Sequence, residues 1–253
     1  MDCHVHSLFS SDSRTTIDQL KAQARPITLT DHYDIHARQG SDFRFNPTAY
    51  FEQLLPVRDD NFLIGVEIGL RQEGDREIRS MLEDYPFDFV LGSVHAPFDA
   101  PTKHDFYMDQ TFLGMDQLAA QTYYFEEVLR SVEFWPEMDA LSHLDYVIRS
   151  AQAPGRELLI EPCTDLIEAI FIAMVDRQIV LEVNTRRFSQ ASFLSDWHGL
   201  LKLYRQAGGR QVVLGSDAHS AAGIYRHFDQ VGQIIRQYGL ERVYFDRRVM
   251  KKW

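Results

Sequence analysis

Short apolar runs alternate with helix-like segments along the chain, and most of the runs end in a histidine or a carboxylate. Strand-like runs cover residues 2–6, 27–30, 62–69, 87–95, 139–143, 179–184, 211–219 and 243–245. Helical spacing is found at 16–25, 48–55, 76–82, 116–131, 166–177, 200–206 and 228–238, with loops expected at 33–47 and 97–114. Strands alternating with helices indicate parallel βα units, and about 250 residues is the length of one α/β barrel. We therefore predict a single barrel domain over residues 1–253.

The first of these runs carries two histidines, His4 and His6, with one residue between them. Because side chains alternate along a strand, both imidazoles lie on one face, and Asp2 on that face is expected to fix the ring of His4. The carboxyl ends of parallel barrel strands share one face of a domain. The other polar groups at such ends are Asp12, Asp31, His32, Glu67, His95, His143, Asp217 and His219. Nitrogen and oxygen donors suit Zn, Fe or Mn, and this set can hold two or three ions.

Each of these residues has an alternative role when taken alone. A single histidine near a strand end is more often a surface or hydrogen-bonded residue, and Asp31 and Ser216 are also candidate helix caps. Asp34 and Asp145 fit either a cap or a supporting contact to a ligand. No strand end precedes the remaining histidines, to which we assign no site role: His36, His104, His198 and His227.

Composition narrows the class of protein. The formal net charge of −11 argues against a broad nucleic-acid surface, which needs clustered Lys and Arg. The two cysteines, Cys3 and Cys163, form no CxxC motif, so reduced thiols are expected. The first residues resemble no signal peptide, and no apolar run reaches the length of a membrane span. We expect a cytoplasmic protein with no membrane or nucleic-acid partner; the oligomeric state is left open.

A family resemblance emerges from the motifs at these strand ends. The series DCHVHS, TLTDH, GVEIGL, VLGSVH, LSHLDYV, EVNT and LGSDAH, from residue 2 to residue 219, resembles the PHP (polymerase and histidinol phosphatase) superfamily. The order and spacing are most similar to its histidinol-phosphate phosphatase branch. The resemblance implies a distorted (β/α)7 barrel of the TIM type, with a trinuclear metal centre at the carboxyl ends of the strands.

The resemblance also implies a set of ligands for each ion. His4, His6, Glu67 and Asp217 would hold the first ion. Glu67 would bridge to a second ion, which His95 and His143 also bind. A third ion would be bound by Asp12, His32 and His219, although many superfamily members have a histidine where Asp12 stands. Asp2 and Asp31 would support the ligands from behind.

The activity implied is hydrolysis of L-histidinol phosphate to L-histidinol and phosphate, a step of histidine biosynthesis. A metal-bridging hydroxide would attack phosphorus, with Glu67, Asp217 and His219 as the expected catalytic groups. Arg149 aligns with an arginine of this branch. Arg186 and Arg187 stand where the branch often has Ser-Gly, and all three arginines are candidate phosphate contacts.

Two alternatives remain open from the sequence alone. One is another PHP phosphoesterase, acting on a nucleotide or a sugar phosphate. The other is a metal-binding module without activity. An acidic, aromatic pocket would favour the cationic histidinol phosphate, and the two long loops carry aspartates that can form one: Asp34, Asp42, Asp99 and Asp105.

Overall fold

The sheet of the computed structural model, which describes residues 1–35, 43–99, 106, 110–149 and 153–253, has eleven strands in that part of the chain. They are β1 (Asp2–Val5), β2 (Ile27–Leu29), β3 (His32–Asp34), β4 (Phe43–Arg44), β5 (Phe62–Gly69), β6 (Phe89–Ser93), β7 (Ala140–Leu141), β8 (Val180–Asn184), β9 (Gln211–Gly215), β10 (Glu241–Asp246) and β11 (Val249–Lys252). The strand order is β1-β2-β5-β6-β7-β8-β9-β10-β11, and β3 joins β5 beyond the end of β2. Nearly all of the pairs are parallel, as the alternation with helices predicts.

Helices connect most of these strands, and several begin at a capping side chain. They are α1 (Ile17–Lys21), α2 (Pro47–Leu54), α3 (Asp75–Asp84), α4 (Gln117–Phe134), α5 (Thr164–Asp176), α6 (Phe193–Gln206) and α7 (Phe228–Gln237). Thr16 and Gln19 form a capping box at α1. The side chains of Asn46 and Asp116 each accept a backbone N–H in the first turn of α2 and α4. None of the helices in the described ranges is long and apolar enough to cross a bilayer.

Backbone hydrogen bonds join β1 and β9 beyond their carboxyl ends. The amide of Asp217 donates to the carbonyl of His4 at 2.8 Å, and the amide of His6 donates to that of Ala218 at 2.9 Å. At the opposite end of β9, β10 takes the neighbouring position through the pairs Glu241–Gln211 and Arg242–Val212. The strands are therefore joined into a ring at the end where the polar residues lie, and β10 occupies the gap at the other end.

The two faces of β5 have different surroundings. Ile64, Val66 and Ile68 belong to the large apolar cluster that includes the helices, whereas Leu63 belongs to a second, smaller cluster. That inner cluster consists of Met1, Cys3, Leu63, Phe89, Leu91, Ala140, Val180, Val213, Val243 and Phe245. Glu67 lies four residues beyond Leu63 on the same face, so the apolar filling of the ring ends where the polar site begins.

The predicted α/β class is confirmed, and the differences from the predicted elements are local. Residues 33–47, predicted as a loop, include most of β3 and all of β4, which form an antiparallel pair too short to show a periodic pattern. The pattern also missed β11, whose residues are all exposed, and it started α6 seven residues late. His36, Asp42, His104 and Asp105 lie outside the described residues.

A test of strand packing is available at Gly65. A Cβ there would lie 2.9 Å from the carbonyl oxygens of both Leu29 and Phe89, on the strands at either side. Because backbone cannot move aside cheaply, we expect Gly65→Ala to lower the free energy of unfolding by about 1–3 kcal/mol in urea denaturation.

Gly232→Ala is the matched control, because a Cβ in that α7 position meets only arginine side-chain atoms, the nearer at 3.6 Å. Ala is the better helix former, so this variant should gain about 0.5–1 kcal/mol. Equal stability of Gly65→Ala and the wild type would contradict the close approach of the strands.

Candidate metal centre

Glu67 lies at the centre of the polar end of the ring. Its carboxylate is fully buried, and its two oxygens face different groups of side chains. The Oε2 atom lies 3.3 Å from His4 Nε2 and 3.6 Å from His6 Nε2. The Oε1 atom lies 3.0 Å from His143 Nε2 and 3.3 Å from His95 Nε2.

The first group of candidate ligands is completed by Asp217. Its Oδ1 atom lies 3.8 Å from His4 Nε2 and 3.6 Å from His6 Nε2. Asp217 adopts a left-handed backbone conformation with φ of 54°, which aspartate tolerates better than most residues. His4, His6 and Asp217 can hold one ion together, and Glu67 Oε2 stands beside them.

The second group consists of Glu67, His95 and His143. The Nε2 atoms of the two histidines lie 3.3 Å apart, at distances from Glu67 Oε1 that are nearly the same. His95 lies two positions beyond the end of β6, and His143 lies two positions beyond the end of β7. The two oxygens of Glu67 thus belong to two different ligand groups.

The third group lies nearer the surface. His219 Nε2 is 3.1 Å from Asp12 Oδ2, and His32 Nε2 is 3.7 Å from the same oxygen. His6 is also within reach, because His6, His32 and His219 form a group that can hold an ion. The side chain of Asp12 is 42% exposed, so this group is the most open of the three.

Metal ions fit these groups, as two independent observations show. The buried atoms His4 Nε2 and His6 Nε2 have no hydrogen-bond partner among the described residues, and Glu67 Oε2 lies 2.8 Å from His32 Nδ1 without good hydrogen-bond geometry. Two donors at about 2.0–2.1 Å from a tetrahedral ion lie about 3.3 Å apart. In the first group, the distances between the histidine Nε2 atoms and the carboxylate oxygens are 3.3–3.8 Å, which is near that value. Most of these distances are too long for a good hydrogen bond.

The central groups differ in the protonation states that their surroundings favour. Burial opposes ionisation of Glu67, but the imidazoles of His4 and His32 hold its pKa well below the ordinary value. Burial lowers the pKa of His6 well below the ordinary value, and neighbouring His219 acts in the same direction. Glu67 is therefore an anion and His6 a neutral base, as metal binding requires. Burial favours the neutral rings of His4, His32 and His95, but neighbouring carboxylates raise their pKa above the ordinary value, so binding of an ion to these rings releases protons.

Comparison with known proteins identifies the family of the chain. The family model of the PHP domain matches residues 2–186. A probable histidinol-phosphatase from Clostridium acetobutylicum is 30% identical over 254 residues, covering 99% of this chain and 98% of the relative. The chain belongs to the PHP domain family.

Further relatives of this PHP chain carry similar descriptions. A probable histidinol-phosphatase from Thermotoga maritima is 27% identical, covering 97% of this chain and 95% of the relative. Among solved structures, histidinol phosphate phosphatase from Lactococcus lactis subsp. lactis Il1403 was crystallised in complex with zinc, L-histidinol and phosphate. It matches with a TM-score of 0.90 at 26% identity, covering 99% of this chain and 98% of that chain.

A residue absent from our site prediction, Glu182 of β8, orients His4 in the PHP chain. Glu182 Oε1 lies 2.7 Å from His4 Nδ1, and Oε2 accepts the backbone N–H of His143 at 2.8 Å. A proton on His4 Nδ1 leaves Nε2 free to bind an ion. The alternation of β8, which puts Glu182 on the same face as Val180, was the available signal. Gly215 makes room for this contact, since a Cβ there would collide with both side chains.

Asp34 makes a similar contact on the opposite side of Glu67. Its Oδ1 atom lies 3.0 Å from His95 Nδ1, and its Oδ2 atom lies 3.3 Å from His32 Nδ1. From the sequence alone, Asp34 fits either a helix cap or a supporting residue. The structure places it against two ligand rings, and Asp34, His32 and His95 also lie close enough to hold an ion.

The two aspartates predicted to support ligands make contacts that differ from those expected. The sequence predicts that Asp2 fixes the ring of His4, but its carboxylate accepts backbone N–H groups, at 2.9 Å from both Ser216 and Tyr225. Asp31 accepts the hydroxyl of Ser10 at 2.6 Å, and the same hydroxyl lies 3.0 Å from His6 Nδ1. Asp2 therefore fixes backbone, whereas Asp31 reaches a ligand through Ser10.

The predicted arginines divide into two kinds. The Nη1 atoms of Arg149 and Arg186 contact the two oxygens of Asp217, at 2.6 Å and 2.9 Å. Both arginines line a cavity of about 560 Å³ together with Phe43, Tyr146 and members of all three ligand groups. Arg187 also reaches the cavity wall, but it is only 2% exposed and its N–H groups bond to protein atoms. We therefore assign no phosphate contact to Arg187.

Substitution of Glu182 tests whether this residue sets the geometry of the first ligand group. Glu182→Gln removes the charge that holds the His4 proton on Nδ1, so we expect metal affinity to fall about 10- to 100-fold. Competition with a chromophoric chelator measures it, and Glu161→Gln on the surface is the control. Unchanged affinity in Glu182→Gln would show that His4 is oriented by other contacts.

Proposed function

We propose that the protein is a metal-dependent phosphomonoesterase that hydrolyses L-histidinol phosphate to L-histidinol and phosphate. The observation that carries the proposal is the position of Arg149 and Arg186, which line the same cavity as members of all three ligand groups. Such a cavity combines ligands for metal ions with the N–H groups of arginines that can bind a phosphoryl dianion. The relatives named histidinol-phosphatase cover nearly the whole chain, and this supports the choice of substrate.

The protein binds two or three divalent ions of Zn, Fe or Mn in this proposal. The first two groups, which share Glu67, hold two of them, and the exposed group of Asp12, His32 and His219 holds the third when it is present. Bound there, such ions lower the pKa of water to supply a nucleophile near neutral pH and offset charge on the phosphoryl oxygens. Zinc in the Lactococcus lactis enzyme supports this assignment.

The residues of the chain itself bind and orient the substrate. Arg149 Nε and Nη2 are buried and have no hydrogen-bond partner among the described residues, and we assign them to phosphoryl oxygens. Arg186 is half-exposed, so it can turn from Asp217 to the phosphate as the substrate enters. Phe43 and Tyr146 provide aromatic surface for the imidazole of the substrate, and Asp12 at the rim provides charge for its amine when no third ion is bound.

Of the two candidate proton donors, His219 is the better placed. Burial opposes ionisation of Asp217, but Arg186 and His4 hold its pKa well below the ordinary value, so this carboxylate carries no proton to give. The imidazole of His219 is 17% exposed, with Nδ1 at 3.5 Å from Asp217 Oδ1. In a site with two ions, His219 is not needed as a ligand, so we assign it the role of proton donor to the leaving oxygen.

A panel of substrates tests the proposal. The purified protein is assayed for phosphate release from L-histidinol phosphate, a sugar phosphate, a nucleotide and a phosphodiester. We expect kcat/KM for histidinol phosphate to exceed the values for the other esters about 100-fold or more. The reason is that a wrong substrate leaves buried polar groups of the site without hydrogen-bond partners. Chelation should abolish turnover, and Zn or Mn should restore it.

The other outcomes separate the alternatives. Preference for a nucleotide or sugar phosphate would keep the metal-dependent hydrolysis and overturn the substrate. If no ester released phosphate, with metal content confirmed on the same sample, the result would overturn enzymatic function and favour a metal-binding module.

A further inference from the structure

A buried chain of alternating charges runs from α6 to the edge of the cavity. It consists of Asp196, Arg187, Asp145, Arg149 and Asp217, in that order. All five side chains are less than 10% exposed. Burying so many charges is costly unless each is paired, so the arrangement needs a reason beyond stability.

Arg187, the second member, has its donors engaged by fixed partners. Its Nη1 atom donates to Asp145 Oδ2 at 2.8 Å, and its Nη2 atom lies 3.3 Å from Asp196 Oδ2. The same Nη2 donates to Ser192 Oγ at 3.0 Å and to the carbonyl of Arg156 at 3.3 Å. A planar fork with this many partners has one orientation, so Arg187 fixes the position of Asp145.

Asp145 in turn has a different contact with Arg149. Its Oδ1 atom lies 3.6 Å from Arg149 Nη2, too far for a good hydrogen bond, and has no hydrogen-bond partner among the described residues. Without Arg187, both oxygens of Asp145 would be available for a close bidentate pair with Arg149. Because Arg187 binds Oδ2 of Asp145, Arg149 is attracted by Asp145 but does not form a close bidentate pair with it.

The result is an arginine at the cavity with unused donors. Arg149 contacts Asp217 through Nη1 alone, at 2.6 Å, which leaves Nε and Nη2 without a hydrogen-bond partner in the described part of the chain. Buried donors without partners are rare and point to a ligand. A phosphoryl group offers two oxygens at the spacing that Nε and Nη2 of one guanidinium can bind together.

We propose that Arg187 and Asp145 are positioning residues, which hold the guanidinium of Arg149 with two donors free for a phosphoryl oxygen pair. The inference rests on the proposed function, because it takes a phosphate ester as the ligand of the cavity. Arg187, which the sequence predicts to contact phosphate directly, instead acts on phosphate through Asp145 and Arg149.

A double-mutant cycle tests this on the metal-loaded protein, with inorganic phosphate as the probe. Arg187→Lys keeps the charge but cannot bind Asp145 and Asp196 in the same way. We expect it to weaken phosphate binding about tenfold by calorimetry, with metal content unchanged. In the Arg149→Ala background, which lacks the residue to be positioned, Arg187→Lys should change phosphate affinity less than about twofold.

Arg76→Lys, on the exposed face of α3, is the matched control and should bind phosphate as the wild type does. If Arg187→Lys does not fold, Asp145→Asn is measured in the same cycle and interpreted in the same way. Equal losses with and without Arg149, or no loss in the Arg187→Lys protein, would overturn the inference. So would normal phosphate binding by Arg149→Ala.

The inference and the proposed function can fail separately. A wild-type protein that carries metal but neither binds phosphate nor hydrolyses any ester loses both. A wild-type protein that hydrolyses histidinol phosphate but gives additive losses in the cycle keeps its function and loses the positioning role of Arg187 and Asp145.

Discussion

A buried carboxylate between histidine rings is the constraint on which the polar end of this fold depends. Glu67 cannot be ionised inside a protein without compensating positive charge, and water does not reach it. Imidazoles surround both oxygens, and a serine hydroxyl, that of Ser93, donates to Oε1 at 2.6 Å. The side chains around Glu67 come from different strands, so satisfying this one carboxylate fixes how those strands meet.

The sequence was most informative where chemistry coincides with periodicity. An apolar run that ends in histidine predicts both a strand and the residue at its end, and this marked His95 and His143 as candidate ligands before any contact was known. Their assignment to the same ion came from the family resemblance. Contacts across the ring are different, because Glu182 meets His4 across 178 positions of the chain. Alternation placed Glu182 on the inner face, but it could not say which ring it would touch.

Arginine roles were the hardest to predict, and the reason is physical. A guanidinium forms equally good pairs with a substrate phosphate and with a protein carboxylate. Arg186 and Arg187 are adjacent in sequence, yet one is half-exposed at the cavity and the other is buried against Asp145. Only the positions of the carboxylates, which depend on the complete fold, separate the two.

The hydrogen-bonded edge between β1 and β9 links ion binding to folding. The backbone groups that close it belong to His4, His6, Asp217 and Ala218, so three of the four residues also present a candidate ligand. Ions that bind only the closed ring favour it by mass action, in proportion to the logarithm of their concentration. Ion binding and closure of the ring would therefore be thermodynamically linked, because loss of the ions would weaken the edge at which β1 meets β9.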